Sequence, residues 1–142
     1  MLKGIPNLLS PELLKVLMEM GHGDEIVIAD GNFPAASHAQ RLVRFDGQPV
    51  PPLLDAVLEL FPLDTFVKYP VALMSVVPGD DYSPDIWPAY KRIIQKHEPE
   101  FAGFEFMERH DFYERARKVY AIVATGETAR YANVILKKGI IS

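Results

Sequence analysis

His22 stands between two glycines in the tetrapeptide Gly21-His22-Gly23-Asp24. Histidine is the side chain whose charge changes near neutral pH, so one held in a tight loop can donate or accept a proton there. The flanking glycines allow close backbone approach and unusual dihedrals. The same four residues also read as a helix-ending turn in which His22 only bonds to backbone. A second cluster is Ala29-Asp30-Gly31-Asn32-Phe33-Pro34, with an acid at the end of an apolar run. Asp30 there suits binding of sugar hydroxyls or orientation of His22. It equally suits an Asx-turn that caps a chain reversal. A third cluster, Tyr131-Ala132-Asn133, offers a phenol and a carboxamide to a polyhydroxylated ligand, or else a turn leading into an edge strand. Arg109 and His110 add a cation at the start of a helix, or a solvated helix start.

Other chemistries lack their residues. His22, Asp24, Asp30 and His38 could be gathered around a metal, but no HxH or HExxH spacing supports that, and no metal site is expected. The absence of cysteine excludes disulfides, thiolate metal sites, iron–sulfur clusters and cysteine nucleophiles. There is no Walker A loop, no GxGxxG and no GxSxG elbow, so nucleotide binding and serine-hydrolase chemistry have no motif.

These clusters fall in the breaks between helices and strands. Ser10-Pro11-Glu12 is a helix start, with a serine cap, proline at the first position and an acid in the first turn. Leu13, Leu14, Leu17 and Met18 follow at helical spacing, and Gly21 ends the helix. Further helices are expected as a turn over 35–40, from Pro51 through Phe61, from Ser83 to His97 and from His110 to Lys118. Strands are expected at 25–30, 41–46, 71–77, 103–108, 120–125 and 133–137. This interleaving predicts one α/β domain over residues 1–142: a single layered domain with a mixed β-sheet flanked by helices. The apolar runs VALMSVV and YAIVAT predict strands covered on both faces. Ligands of such sheets sit beyond the strand ends, where the polar clusters fall.

The 142 residues suit one domain, and 49% hydrophobic with 24% charged residues is the balance of a soluble globular protein. A net charge of -4, without a basic tail, argues against nucleic acid or anionic lipid as a partner. No apolar run approaches a membrane span, and the first residues lack a signal peptide's apolar region and cleavage site. A cytoplasmic protein is the expectation.

Taken together, SPELLKVLMEMGHGDEIVIADGNFPA, DFYERA, ATGE and YANVILKKG resemble the RbsD/FucU family of sugar mutarotases, in the right order and over nearly the whole chain. The resemblance implies an α/β fold and interconversion of the cyclic forms of free monosaccharides without cofactor or metal. It implies a ring-shaped homo-oligomer, commonly a decamer, with sites near subunit boundaries. It also implies that His22 is the general acid, that Asp30 and Arg109 bind substrate, and that Tyr131, Ala132 and Asn133 bind it through side chains and backbone. Arg109 and Tyr113 resemble the branch acting on L-fucose; the alternative within the family is ribose pyranase activity. Two positions depart from the fucose branch: Asn32 stands where that branch has histidine, and Ala132 is more ribose-like. A one-residue shift would put His110 at the ribose-branch histidine. Outside the enzyme class, a non-catalytic sugar-binding protein or a structural ring would carry the same residues. The short chain has little surplus to enclose a sugar alone, which points to a pocket completed by a neighbouring copy.

Overall fold

Residues 1–142 are described by a computed structural model. Helices and strands alternate as α1 (Pro11–Glu19), β1 (Glu25–Ala29), α2 (Ala35–His38), β2 (Leu42–Phe45), α3 (Val50–Leu58), β3 (Val71–Met74), α4 (Ile86–His97), β4 (Glu105–Met107), α5 (Arg109–Lys118), β5 (Ala121–Thr125) and β6 (Val134–Lys137). The caps explain several of these bounds. Ser10 Oγ accepts the Leu13 N–H at 3.2 Å at the start of α1. The far end of α1 leaves carbonyls without partners, and the Lys138 ammonium donates to two of them, on Leu17 and Met20. Glu108 caps α5 by accepting from the His110 and Asp111 amides.

The six strands form one sheet in the order β2-β5-β1-β6-β3-β4. Only β6 runs antiparallel to its neighbours β1 and β3. Successive residues of β1 alternate between the two faces: Ile26 and Ile28 join the core beneath α1, α3 and α4, while Val27 and Ala29 join the core beneath α2 and α5. The first core holds 25 buried residues and the second 12, so the second face carries the lighter cover. Every residue of β3 and β5 is buried, as their apolar runs predict. No helix is long and apolar enough to cross a membrane.

The mixed sheet flanked by helices matches the expected α/β class, with three informative differences. Residues 133–137 do not form an edge strand, because β6 lies between β1 and β3. The strand expected over 71–77 ends at Met74, and the Val77 N–H goes instead to the Tyr131 phenol oxygen at 3.3 Å. The helix expected from Ser83 or nearby begins at Ile86, which puts Pro88 in its first turn; Pro84 disfavours helical backbone at the residue before it.

The segment Thr125-Gly126-Glu127 has a structural role. The first turn of α3 contains Pro51 and Pro52, which have no N–H, so the Val50 amide is the donor left to cap. It donates to Glu127 Oε1 at 3.0 Å, which sets a buried carboxylate at the positive end of the helix. Gly126 makes this approach possible: a Cβ there would lie 2.1 Å from the Asp46 carbonyl oxygen.

Candidate active site

Five strands point their carboxyl ends to one edge of the sheet, and a cleft of about 230 Å³ lies there. Asp30 follows β1, Met74 ends β3, Arg109 opens α5 after β4, and Asn133 precedes the reversed strand β6. The sequence separates Asp30 from Asn133 by 103 positions, yet Asn133 Oδ1 accepts the Asp30 backbone N–H at 2.7 Å. Asp30, Asn32, Arg109, Tyr113, Tyr131 and Asn133 therefore line one cleft. Ala132 is fully buried behind it, and its carbonyl accepts from the Tyr90 hydroxyl at 2.6 Å. His110 is exposed on α5 and does not line the cleft, so Arg109 and not His110 faces the site.

Asp30 is only 8% exposed. Burial raises its pKa above the ordinary carboxylate value; the amides of Asn32, Phe33 and Ala132 oppose that shift, and the Glu127 charge adds to it. One carboxylate oxygen accepts the Asn32 N–H at 3.0 Å, so the Asx-turn and the ligand-facing acid are the same residue. Arg109 lies beside the Tyr113 ring at 5.6 Å. Phe33, Met74 and Val77 add an apolar wall. A buried proton acceptor, a guanidinium, a carboxamide and an apolar wall together suit a small polyhydroxylated molecule with one apolar substituent.

His22 is not in this cleft. It precedes β1 whereas Asp30 follows it, and the five residues of β1 at about 3.3 Å each put about 16 Å of strand between them. Asp30 therefore cannot orient the His22 of its own chain, contrary to the expectation above. The partner of His22 is Asp64, whose Oδ1 lies 3.1 Å from Nε2. Asp64 is nearly covered. Burial alone would push its carboxyl up, but the Phe66 amide and His22 outweigh that and hold it below the ordinary value. The loop carrying His22 is fixed by Gly23, at φ 87°, and by Asp24, which accepts the Gly21 N–H at 2.8 Å. The His22 side chain stays 44% exposed, facing Phe66 at 5.2 Å between ring centroids. Around it runs an apolar groove of about 670 Å³ that includes Met18 and Ile141, which are 84% and 85% exposed.

Asp64 beside His22, Met74, Val77 and Arg130 in the cleft, and Asp80 behind Tyr131 and Arg130 were not singled out from the sequence. Met74 and Val77 read there as strand residues. Asp64 and Asp80 sit in proline- and glycine-punctuated loops, a weak signal shared with many structural turns.

The sequence model of the RbsD / FucU transport protein family matches residues 3–141. A fucose mutarotase of Bos taurus is 51% identical over 150 residues, covering 99% of this chain and 95% of that protein. An L-fucose mutarotase of Actinobacillus pleuropneumoniae is 48% identical over 140 residues, covering 99% and 97%. The crystal structure of the fucose mutarotase in complex with L-fucose from Streptococcus pneumoniae superposes with a TM-score of 0.94 at 55% identity, covering 99% of this chain and all of that one. With sequence and fold matched from end to end, the chain belongs to the RbsD / FucU family.

Proposed function

We propose that this protein is a mutarotase that interconverts the anomers of L-fucose, or of a closely related free monosaccharide, by cofactor-free general acid–base catalysis. The observation that carries this reading is the cleft. It faces a buried carboxylate and a guanidinium across an apolar wall, in a chain 55% identical to a fucose mutarotase crystallised with L-fucose. The wall of Phe33, Met74 and Val77 supplies a surface for the methyl group of a 6-deoxyhexose. That favours L-fucose over ribose, which has no such group.

Mutarotation opens a hemiacetal and recloses it on the other face of the carbonyl. Opening needs a proton delivered to the ring oxygen and one removed from the anomeric hydroxyl. Asp30 accepts hydroxyl protons, while Arg109, Asn133 and the Tyr131–Ala132 backbone grip the sugar. His22 supplies the proton to the ring oxygen, with Asp64 holding its ring. Because His22 and Asp30 stand at opposite ends of β1, the site takes its histidine from a neighbouring copy. The exposed apolar groove of Met18 and Ile141, which runs beside His22, supports such self-association. The family resemblance points to a ring-shaped, decameric assembly working in the cytoplasm.

Saturation-transfer NMR on equilibrated sugars tests the activity. D-arabinose keeps the ring stereochemistry of L-fucose and lacks its methyl group. A methyl group in an apolar pocket is worth ~1–3 kcal/mol, or ~10–200-fold. We expect kcat/KM for L-fucose to exceed that for D-arabinose by at least about tenfold. Acceleration of ribose exchange alone would transfer the assignment to a pyranase. No acceleration at catalytic concentrations would leave a sugar-binding protein.

The raised pKa of Asp30 gives a second expectation. The working carboxylate must be ionised, so activity is lost as pH falls through the Asp30 pKa, which burial raises from its ordinary value. The stability sign is opposite. A carboxyl raised on folding contributes stability while protonated, below its unfolded pKa, and that contribution is lost as pH rises through the folded value. Once ionised, Asp30 is thus a net cost to the fold. Asp30→Asn should therefore unfold no lower than the native protein at pH 7, while losing sugar exchange. A clear drop in Tm would contradict this account.

A further inference from the structure

Tyr131 is the one residue other than glycine with a positive φ, at 58°. Left-handed backbone is disfavoured for a residue bearing Cβ and persists only where its surroundings impose it. The imposing contacts come from the loop after β3. The Tyr131 hydroxyl donates to Asp80 Oδ2 at 2.7 Å and accepts from the Val77 amide at 3.3 Å. The Tyr131 carbonyl accepts from the Trp87 indole at 2.8 Å. Arg130 pairs with the same Asp80 oxygen, its guanidinium 4.6 Å from the Tyr82 ring and 5.5 Å from that of Tyr131. The other Asp80 oxygen accepts the Tyr82 amide at 3.0 Å, so the carboxylate is anchored in its own loop. A phenol has one hydrogen to donate, and Asp80 takes it. The hydroxyl of Tyr131 is thus spent on the loop and its carbonyl on Trp87, which leaves its ring and backbone N–H for a ligand. Immediately downstream, the Ala132 amide faces the Asp30 carboxylate and Asn133 holds the Asp30 backbone.

We propose that Asp80 is a positioning residue of the sugar cleft: its carboxylate clamps Tyr131 and Arg130 and so holds the backbone of residues 131–133 against Asp30. The role deepens the mutarotase reading and rests on it for the kinetic readout. It predicts a loss of grip on the sugar rather than a loss of proton transfer. Asp80→Ala should raise KM for L-fucose by about tenfold with kcat little changed, within the ~10²-fold that a 1 Å misplacement can cost. Asp80→Asn keeps an acceptor for the phenol and should fall between the native protein and Asp80→Ala.

Trp87, the single tryptophan, bonds to Tyr131 and reports on the clamp independently of activity. Acrylamide should quench its fluorescence more strongly in Asp80→Ala than in the native protein. A KM equal to the native value in Asp80→Ala, or a loss confined to kcat, overturns the proposal. A native value in Asp80→Asn overturns it if Asp80→Ala does not fold. If the native protein does not accelerate exchange, the mutarotase reading fails by itself. The Kd for L-fucose followed by Trp87 emission then replaces KM, and equal values in native and Asp80→Ala proteins overturn the role of Asp80.

Discussion

Replacing His22 by alanine is expected to slow anomer exchange by about 10²–10⁴-fold, the usual contribution of a positioned acid or base. The fold should survive the change. The side chain is nearly half exposed, and Asp64 keeps the Phe66 N–H at 3.0 Å when His22 is gone. The position of His22 sharpens the expectation. Within one chain it lies at the amino edge of the sheet, whereas Asp30 lies at the carboxyl edge. Two inactive variants, His22→Ala and Asp30→Asn, should therefore restore activity when co-expressed, because some interfaces then join an intact His22 to an intact Asp30. Random mixing gives about one such site in four for a site shared between two copies. Saturation-transfer NMR on each variant and on the mixture decides the matter. An unchanged rate in His22→Ala would remove the histidine from the mechanism, and a mixture as inactive as its parents would remove the shared site.

The largest expected effect on stability lies at Gly126. A Cβ placed there would stand 2.1 Å from the Asp46 carbonyl oxygen, a backbone atom that has no rotamer to retreat into. The Gly126 N–H also donates to the Gln48 carbonyl at 2.9 Å, so the two loops cannot part without losing that bond. Separation would draw Glu127 from the Val50 amide and uncap α3. Overpacking costs about 1–3 kcal/mol and a lost helix cap about 0.5–2 kcal/mol. Gly126→Ala should then destabilise the protein by about 1.5–5 kcal/mol, read as a fall in the urea midpoint. Gly47→Ala is the matched control: a Cβ at that position meets nothing within 4 Å, and its cost should be small. Equal midpoints for the two variants would show that the loops yield freely.

The residues that were legible in the sequence are those whose signals are local. Ser10-Pro11 announces a helix, the apolar runs at β1, β3 and β5 announce buried strands, and both structures follow. The cleft residues Asp30, Asn32, Arg109, Tyr131 and Asn133 could be named because each sits at a break beside an element, whereas Tyr113, inside α5, was marked only by the family resemblance. What the sequence hid depends on topology. His22 and Asp64 are 42 positions apart, and nothing in between carries a pattern that pairs them. The same holds for Asp80 and Tyr131, which are 51 positions apart. Proximity in sequence also misled: the distance from His22 to Asp30 is short along the chain, but a straight strand occupies it. The interior place of β6 was hidden for a related reason, since a five-residue apolar run looks alike at the edge and in the middle of a sheet.

That interior place constrains how the chain is made. The two neighbours of β1 in the sheet are β5 and β6, and the pairings join Ile26 to Ala121 and to Leu136. On the ribosome, β1 emerges early and then waits, its backbone donors and acceptors not all matched until translation has passed residue 137. The cap of α3 arrives equally late, because Glu127 is 77 positions behind Val50. Such long-range pairing slows folding and leaves strands exposed to wrong partners meanwhile. A transcript truncated before β6 would yield a polypeptide whose first strand is hydrophobic and permanently unpaired along its β6 edge, a substrate for chaperones and proteases rather than a smaller version of the enzyme.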